Sequence, residues 1–455
     1  MTGTTWWCEH AWRGGDSVAD GVLLTVADGR ITAIDIGTAP PLDASRLRGL
    51  VIPGLANAHS HAFHRALRSR TQRDRGSFWT WRDLMYCAAE RLDPDRYRRL
   101  TRAVYAEMAL AGITAVGEFH YVHHDAGGAH YVDPNAMGRA VIAGAADAGI
   151  RLTLLDTCYL SSAPDGSPLT GIQQRFGDGS GEDWAQRVEA LRRQVVAAPT
   201  VVVGAALHSV RAVPVEHMPA VIEWAAAHNV PLHVHSSERP REVEQCLSVY
   251  GRTPTAVLRD AGALGRHSTV VHATHLTAQD IGDLVRTSTG VCFCPTSERD
   301  LGDGIGPAPA LLAGRGLFSL GSDSHAVIDM FEEARAVELD ERLASGKRGT
   351  IVAEPLLRAA TFDGQHALGW ADAGVLAVGM RADLVAVQLD SIRTAGGGPT
   401  AENVVFAATA ADVTDVVVDG RTVVAGGRHV SIPNVAAELA SAITDLMDIP
   451  GDAVP

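Results

Sequence analysis

Eight short apolar runs, spread over about 300 residues and separated by stretches of helical character, constrain this chain more than any other feature. They are residues 51–61, 114–120, 151–159, 201–208, 231–236, 269–275, 290–295 and 317–323. The helix-like segments that separate most of them include 94–110, 135–148, 182–196, 215–228, 241–250 and 278–287. Strands alternating with helices in this way predict a (β/α)₈ barrel, a single α/β domain with its strands closed into a ring. An open doubly wound sheet is the alternative, but no Gly-x-Gly-x-x-Gly follows the first strand.

The two ends of the chain have a different rhythm. Alternating β-formers flank Asp28-Gly29 near the start and Asp419-Gly420 near the end, and both dipeptides are hairpin signals. One small β-sandwich domain is therefore expected from residues 1–50 and 375–432, with the barrel at 51–374 and a closing helix and tail at 433–455.

In a barrel of this kind the chemistry sits where the strands end. The first run ends in His59-Ser60-His61, whose side chains at i and i+2 share one strand face. Other runs end in Glu118-Phe119-His120-Tyr121, His208-Ser209-Val210-Arg211, His233-Val234-His235 with Glu238, His272 with His275, and Asp323-Ser324-His325. Histidine is seldom fully buried without a partner, so this many at successive strand ends point to a shared ligand. Three or four donors plus an open position make a mononuclear catalytic site. His59, His61 and Asp323 supply three, and His235 is chosen over His233 because it lies nearer its strand's end. Glu238 and His272 are then free to move protons beside the ion. A two-metal site bridged by a carboxylated lysine has no candidate, since Lys347 is the sole lysine and falls past the eighth strand.

A formal net charge of −14 repels nucleic acid, and an anionic substrate would need a local cluster of arginines. The six scattered cysteines suggest reduced core thiols. No stretch reaches membrane-spanning length and the N-terminus has no leader pattern, so no membrane partner and a cytoplasmic location are expected.

With these residues in place, the chain resembles the amidohydrolase superfamily, in its mononuclear deaminase branch. The likeness rests on the His-x-His pair, His235-Ser236-Ser237-Glu238, His272, Asp323 and the return segment 374–384. Within that branch it is most similar to the formimidoylglutamate deiminases, through strings at 77–86, 118–125, 207–213 and 301–305, the last being Leu301-Gly302-Asp303-Gly304-Ile305. The resemblance implies one divalent metal, Zn²⁺ or alternatively Fe²⁺, on His59, His61, His235 and Asp323. It also implies hydrolysis of the formimino C=N group of N-formimino-L-glutamate by a metal-bound hydroxide, a step of histidine catabolism, with Glu238, His272 and Asp323 as catalytic residues. Substrate-binding positions carried over from the family are Arg82, Tyr121, His208 and Arg211. His64 stands where relatives usually carry glutamine, which admits a different acid or a modified amidine as substrate. A ring deaminase acting on guanine, cytosine or an S-triazine is the competing expectation within the fold, and a catalytically dead scaffold the competing one outside it. Relatives of this kind are often homodimers, so a homodimer is expected.

Overall fold

The computed structural model describes residues 4–72 and 78–447. The first residue of the string at 77–86, and the tail of the closing segment from residue 448, lie outside the described residues. Two eight-stranded sheets organise the chain. Strands β1 (Thr4–Trp12), β2 (Val18–Ala27), β3 (Arg30–Asp35) and β4 (Ser45–Pro53) form one sheet with the late strands β13 (Leu384–Val387), β14 (Val413–Val418), β15 (Arg421–Ala425) and β16 (Arg428–His429), in the order β16-β15-β14-β13-β4-β1-β2-β3. Asp28 (φ 51°) and Gly29 (φ 77°) make the β2–β3 turn, and Asp419 (φ 48°) and Gly420 (φ 73°) make the β14–β15 turn. Both pairs take the left-handed conformation that a two-residue hairpin turn requires. Alternate residues of this sheet, among them Trp6, Cys8, Leu24, Ile31, Val51 and Leu384, enclose a core of their own.

The second sheet is the barrel. Its strands are β5 (Leu55–Ser60), β6 (Ile113–His120), β7 (Arg151–Cys158), β8 (Val201–Ser209), β9 (Leu232–Ser236), β10 (Ser268–His272), β11 (Gly290–Phe293) and β12 (Phe318–Leu320). All are parallel, each paired with the next in sequence. The ring is closed by a bridge between Ser60 and Asp323. The apolar run 51–61 is thus not one strand. Val51–Pro53 belongs to β4 of the terminal sheet, and the barrel strand begins only after Gly54. Gly54 is required there because a Cβ would stand 2.2 Å from Thr114 Oγ1.

The helices follow from capping and periodicity. The Pro94–Leu110 helix starts with Asp93 accepting from the Arg96 N–H (2.8 Å) and Pro94 at its first position, and it buries Tyr97, Leu100, Thr101, Val104, Tyr105 and Met108 at helical spacing. The closing helix, Val435–Met447, lies against it through the Arg102–Glu438 and Arg99–Asp445 ion pairs. Five cysteines are buried, but Cys87 is exposed, on the outer face of the Phe78–Arg91 helix. None of the described helices is long and apolar enough to cross a membrane.

Inside the ring, small residues such as Ala56, Ala58 and Ala115 leave room for Leu368 and Trp370, which enter from the N-terminal end of the strands. Gly117 permits this, since a Cβ there would lie 2.4 Å from Leu368 Cδ2. The same end is tied to the terminal sheet by Arg151, fully buried at the start of β7. Its guanidinium donates twice to Asp383, once to Asp419 (3.2 Å) and once to Gln365 (3.2 Å). Replacing one member of such a network leaves its buried partner charge uncompensated. Arg151→Met is therefore expected to destabilise the protein by about 3–5 kcal/mol, read as a lower thermal unfolding midpoint.

A candidate metal centre and its cavity

At the opposite end, where the strands finish, the backbone bonds that close the barrel are made by the candidate ligands themselves. Asp323 N–H donates to His59 O (3.0 Å) and His61 N–H to Asp323 O (3.2 Å). One nitrogen or oxygen from each of His59, His61, His235 and Asp323 lies within 4.8 Å of all the others. Asp323 Oδ1 is 3.3 Å from His59 Nε2 and 3.4 Å from His61 Nε2. All four side chains are buried.

The tautomers follow from the outer nitrogens. A carbonyl can only accept, so His61 Nδ1–H donates to Phe119 O (2.9 Å) and His235 Nδ1–H to His208 O (2.9 Å). Their Nε2 lone pairs then point inward. His235 Nε2 lies only 3.1 Å from His59 Nε2, and two such nitrogens are held together only by a proton or a cation between them. Burial drives the imidazoles toward the neutral, ligating form: His59 is lowered to about 3, and His61 and His235 are also lowered, although Asp323 opposes the shift at His59 and His61. Burial alone would raise Asp323, but the His59 hydrogen bond and neighbouring imidazoles hold its carboxyl well below the ordinary range. Three neutral imidazoles and one carboxylate form a donor set suited to a divalent transition metal.

The backbone around this cluster is strained. Ser237 (φ 52°), His272 (φ 68°), Ala273 (φ 51°), Asp323 (φ 40°) and His325 (φ 59°) are non-glycine residues in the left-handed region. Backbone hydrogen bonds hold this region, two of them between neighbouring strand ends and one within the turn at His325. Ala273 N–H bonds Ser236 O (3.0 Å), His275 N–H bonds Ser237 O (2.9 Å), and His325 N–H bonds Ser322 O (2.8 Å).

Beneath the candidate ligands runs a directional chain, of which the sequence placed Glu118 and His325 at strand ends without assigning them a role. Asn57 Nδ2–H donates to Ser322 Oγ (2.6 Å), whose hydroxyl faces His325 Nδ1 (2.9 Å). His325 Nε2 faces Ser60 Oγ (3.2 Å), and Ser60 donates to Glu118 Oε2 (2.7 Å). Glu118 Oε1 also accepts from Ala62 N–H (2.7 Å). Burial pushes the Glu118 carboxyl up to about 7 against these hydrogen bonds. Ser60 lies between the two histidines of the first strand, so the chain fixes their orientation. A glutamate inside the otherwise apolar run of β6 was the available signal, because a buried carboxylate must be paired.

A cavity of about 330 Å³ opens above the cluster. It is lined by His61, His235 and Asp323, by Glu238 and His272, and by His64, Arg82, Tyr121, His208 and Arg211, so that of the sequence-derived site residues only His59 lies outside its wall. His272 donates through Nδ1 to Glu298 (3.3 Å) and stacks on His235 with ring centroids 5.5 Å apart. Burial would lower His272, but Glu238 and Glu298 hold it well above the ordinary value. His64 Nε2 meets the Tyr121 hydroxyl at 3.0 Å. Glu238 N–H donates to Glu242 Oε2 (3.0 Å), and Arg211 stands 3.8 Å from each of these carboxylates. Trp79, Tyr86, Tyr159, Gln173, Arg239 and Arg241 complete much of the wall and were not assigned from sequence. His233, the other histidine on its strand face, donates instead to Ala367 O (2.9 Å).

A second group, His120, His123 and Asp156, also has ligand atoms within 4.8 Å. Charge decides against a cation there. Asp156 already accepts two hydrogen bonds from Arg187 (2.8 and 3.0 Å) and one from Trp184 (3.0 Å), and Arg187 goes on to Asp178. A metal at that position would face a guanidinium.

The sequence matches the amidohydrolase family over residues 50–423. It is 37% identical, over 418 residues covering 89% of this chain and 91% of the relative, to formimidoylglutamate deiminase of Pseudomonas aeruginosa. It is 30% identical to 8-oxoguanine deaminase of the same organism, over 82% of this chain and 83% of that one. Among solved structures, an amidohydrolase from Brucella melitensis superposes with a TM-score of 0.91 at 31% identity, covering 98% of this chain and 100% of that one.

The two clusters predict different outcomes on metal analysis of purified protein. Asp323→Ala should lower metal affinity by at least about 10-fold, whereas His120→Ala should leave the bound metal unchanged.

Proposed function

The chain belongs to the amidohydrolase family, and from that premise we propose that it hydrolyses N-formimino-L-glutamate to N-formyl-L-glutamate and ammonia. The observation that carries this reading is a single cavity with the four-donor cluster in its floor and arginines, among them Arg82 and Arg211, in its wall. The formimino substrate matches both features. It presents one amidinium carbon to hydrolyse and two carboxylates, which guanidinium groups fix by paired hydrogen bonds. A ring substrate such as guanine offers those arginines no carboxylate. The relative at 37% identity carries the same activity in its name.

His59, His61, His235 and Asp323 would hold one divalent ion, and we infer zinc, which three nitrogen donors and one carboxylate suit. When bound, such an ion supplies the Lewis acidity that makes water a competent nucleophile near neutral pH.

The chain's own residues supply the rest. The overall change, R–NH–CH=NH₂⁺ plus water giving R–NH–CHO plus NH₄⁺, needs a proton taken from the attacking water and one delivered to the departing nitrogen. Glu238, in the cavity wall beside Arg211, is suited to deliver that proton. His272, anchored by Glu298, stacked on His235 and kept in its charged form by Glu238 and Glu298, is oriented to stabilise charge developing on the reacting carbon's oxygen, while the water's proton passes to the Glu238 carboxylate that then delivers it. Tyr121, held by His64, and His208, packed edge-on against Tyr121 and tilted over Tyr159, orient the substrate between the reacting centre and the arginines. Histidine at position 64 preserves a polar group against Tyr121, as the glutamine usual in relatives would.

Ammonia release from N-formimino-L-glutamate, assayed beside guanine, tests the reading directly. Turnover of the first and none of the second is expected, and the reverse would overturn it. Glu238→Gln should lower kcat by about 10²- to 10⁴-fold while metal analysis finds the ion retained.

A further inference from the structure

The four arginines of the cavity wall are not equivalent in charge. Arg211 stands 3.8 Å from both Glu238 and Glu242, and Arg239 stands 3.2 Å from Asp303. Arg82 and Arg241 have no acidic partner within ion-pair distance among the described residues. Both instead lie over the ring of Trp79, with guanidinium carbons 4.3 and 5.2 Å from its centroid. Stacking uses the flat face of a guanidinium and leaves its N–H edge free to meet an anion. Two like charges gathered on one indole also repel each other, and a carboxylate between their edges would relieve that repulsion. Trp79 is 44% exposed and Arg241 is exposed, so the pair sits at the cavity's mouth, while Arg211 sits beside Glu238 further in.

We propose that Arg241 acts with Arg82 as a two-guanidinium clamp on Trp79 that binds the outer carboxylate of the substrate, leaving the inner carboxylate to Arg211. This rests on the substrate reading above. The chemistry of that substrate fixes the order. Its amidine is carried on the α-nitrogen, so the α-carboxylate is separated from the reacting group by one carbon, and the side-chain carboxylate lies two methylenes further out. The inner carboxylate therefore falls near Glu238 and Arg211, and the outer one reaches the mouth. Arg241 is then a specificity determinant that distinguishes a dicarboxylic amidine from one whose distal group is neutral.

The test compares N-formimino-L-glutamate with N-formimino-L-glutamine, in which the outer carboxylate is an amide of nearly the same size. Steady-state kinetics of the metal-loaded enzyme, Arg241→Gln and Arg241→Lys give the ratio of kcat/KM for the two substrates. Arg241→Gln should reduce that ratio by about tenfold or more, as expected for loss of one charge-assisted hydrogen bond, with the loss appearing in KM rather than kcat. Arg241→Lys should retain most of the ratio, because it keeps the charge. An unchanged ratio in Arg241→Gln, or an equal loss on both substrates, overturns the clamp while leaving the substrate reading intact. Absence of turnover of N-formimino-L-glutamate by the wild-type enzyme overturns the substrate reading and the clamp with it.

Discussion

The structure depends on bringing three imidazole nitrogens and one carboxylate oxygen to a single point at the end of a closed barrel. Left to themselves these groups would not meet. Lone pairs such as those of His59 and His235, 3.1 Å apart, repel, and stripping water from four polar side chains is costly. The fold offsets this by fixing each group from behind. His61 and His235 are anchored through their outer nitrogens to backbone carbonyls, and the chain from Asn57 through Ser322, His325 and Ser60 to Glu118 braces the strand that bears His59 and His61. The barrel itself closes through the backbone of His59, His61 and Asp323, so ring closure also places these three candidate ligands.

The two ends of the barrel then carry different loads. At the end where the strands begin, small residues admit Leu368 and Trp370, and Arg151 joins barrel to terminal sheet through hydrogen bonds to Asp383, Asp419 and Gln365. At the end where they finish, Ser237, His272, Ala273, Asp323 and His325 hold left-handed conformations. Strain of this kind costs about 1–3 kcal/mol per residue and persists only where neighbours over-determine the backbone. Rigidity at one end therefore supports an unfavourable but useful arrangement at the other.

Charge shapes the cavity in a comparable way. An acidic protein gathers four arginines around one opening, and among the described residues carboxylates pair with two of them, Arg211 and Arg239. Similar reasoning separates the two histidine-rich clusters. Their ligand atoms are equally close, but Arg187 already satisfies Asp156 in one, whereas Asp323 in the other faces the imidazoles of His59 and His61.

The sequence by itself determined what is local. Period-3.6 and extended runs set the alternation of strand and helix, Asp-Gly pairs set the hairpins, and His-x-His set two donors on one face. Adjacent residues interact through fixed backbone geometry, so such patterns are readable without the fold. Even there, the run 51–61 concealed a change of sheet, because Gly54 is dictated by Thr114 and not by its own neighbours. Which arginines keep a free charge, why His233 turns to Ala367 and why Glu118 is buried beneath the ligands were decided only by tertiary structure. Ion pairing, desolvation and ligation depend on distances between residues far apart in the chain, and only the closed barrel sets those distances.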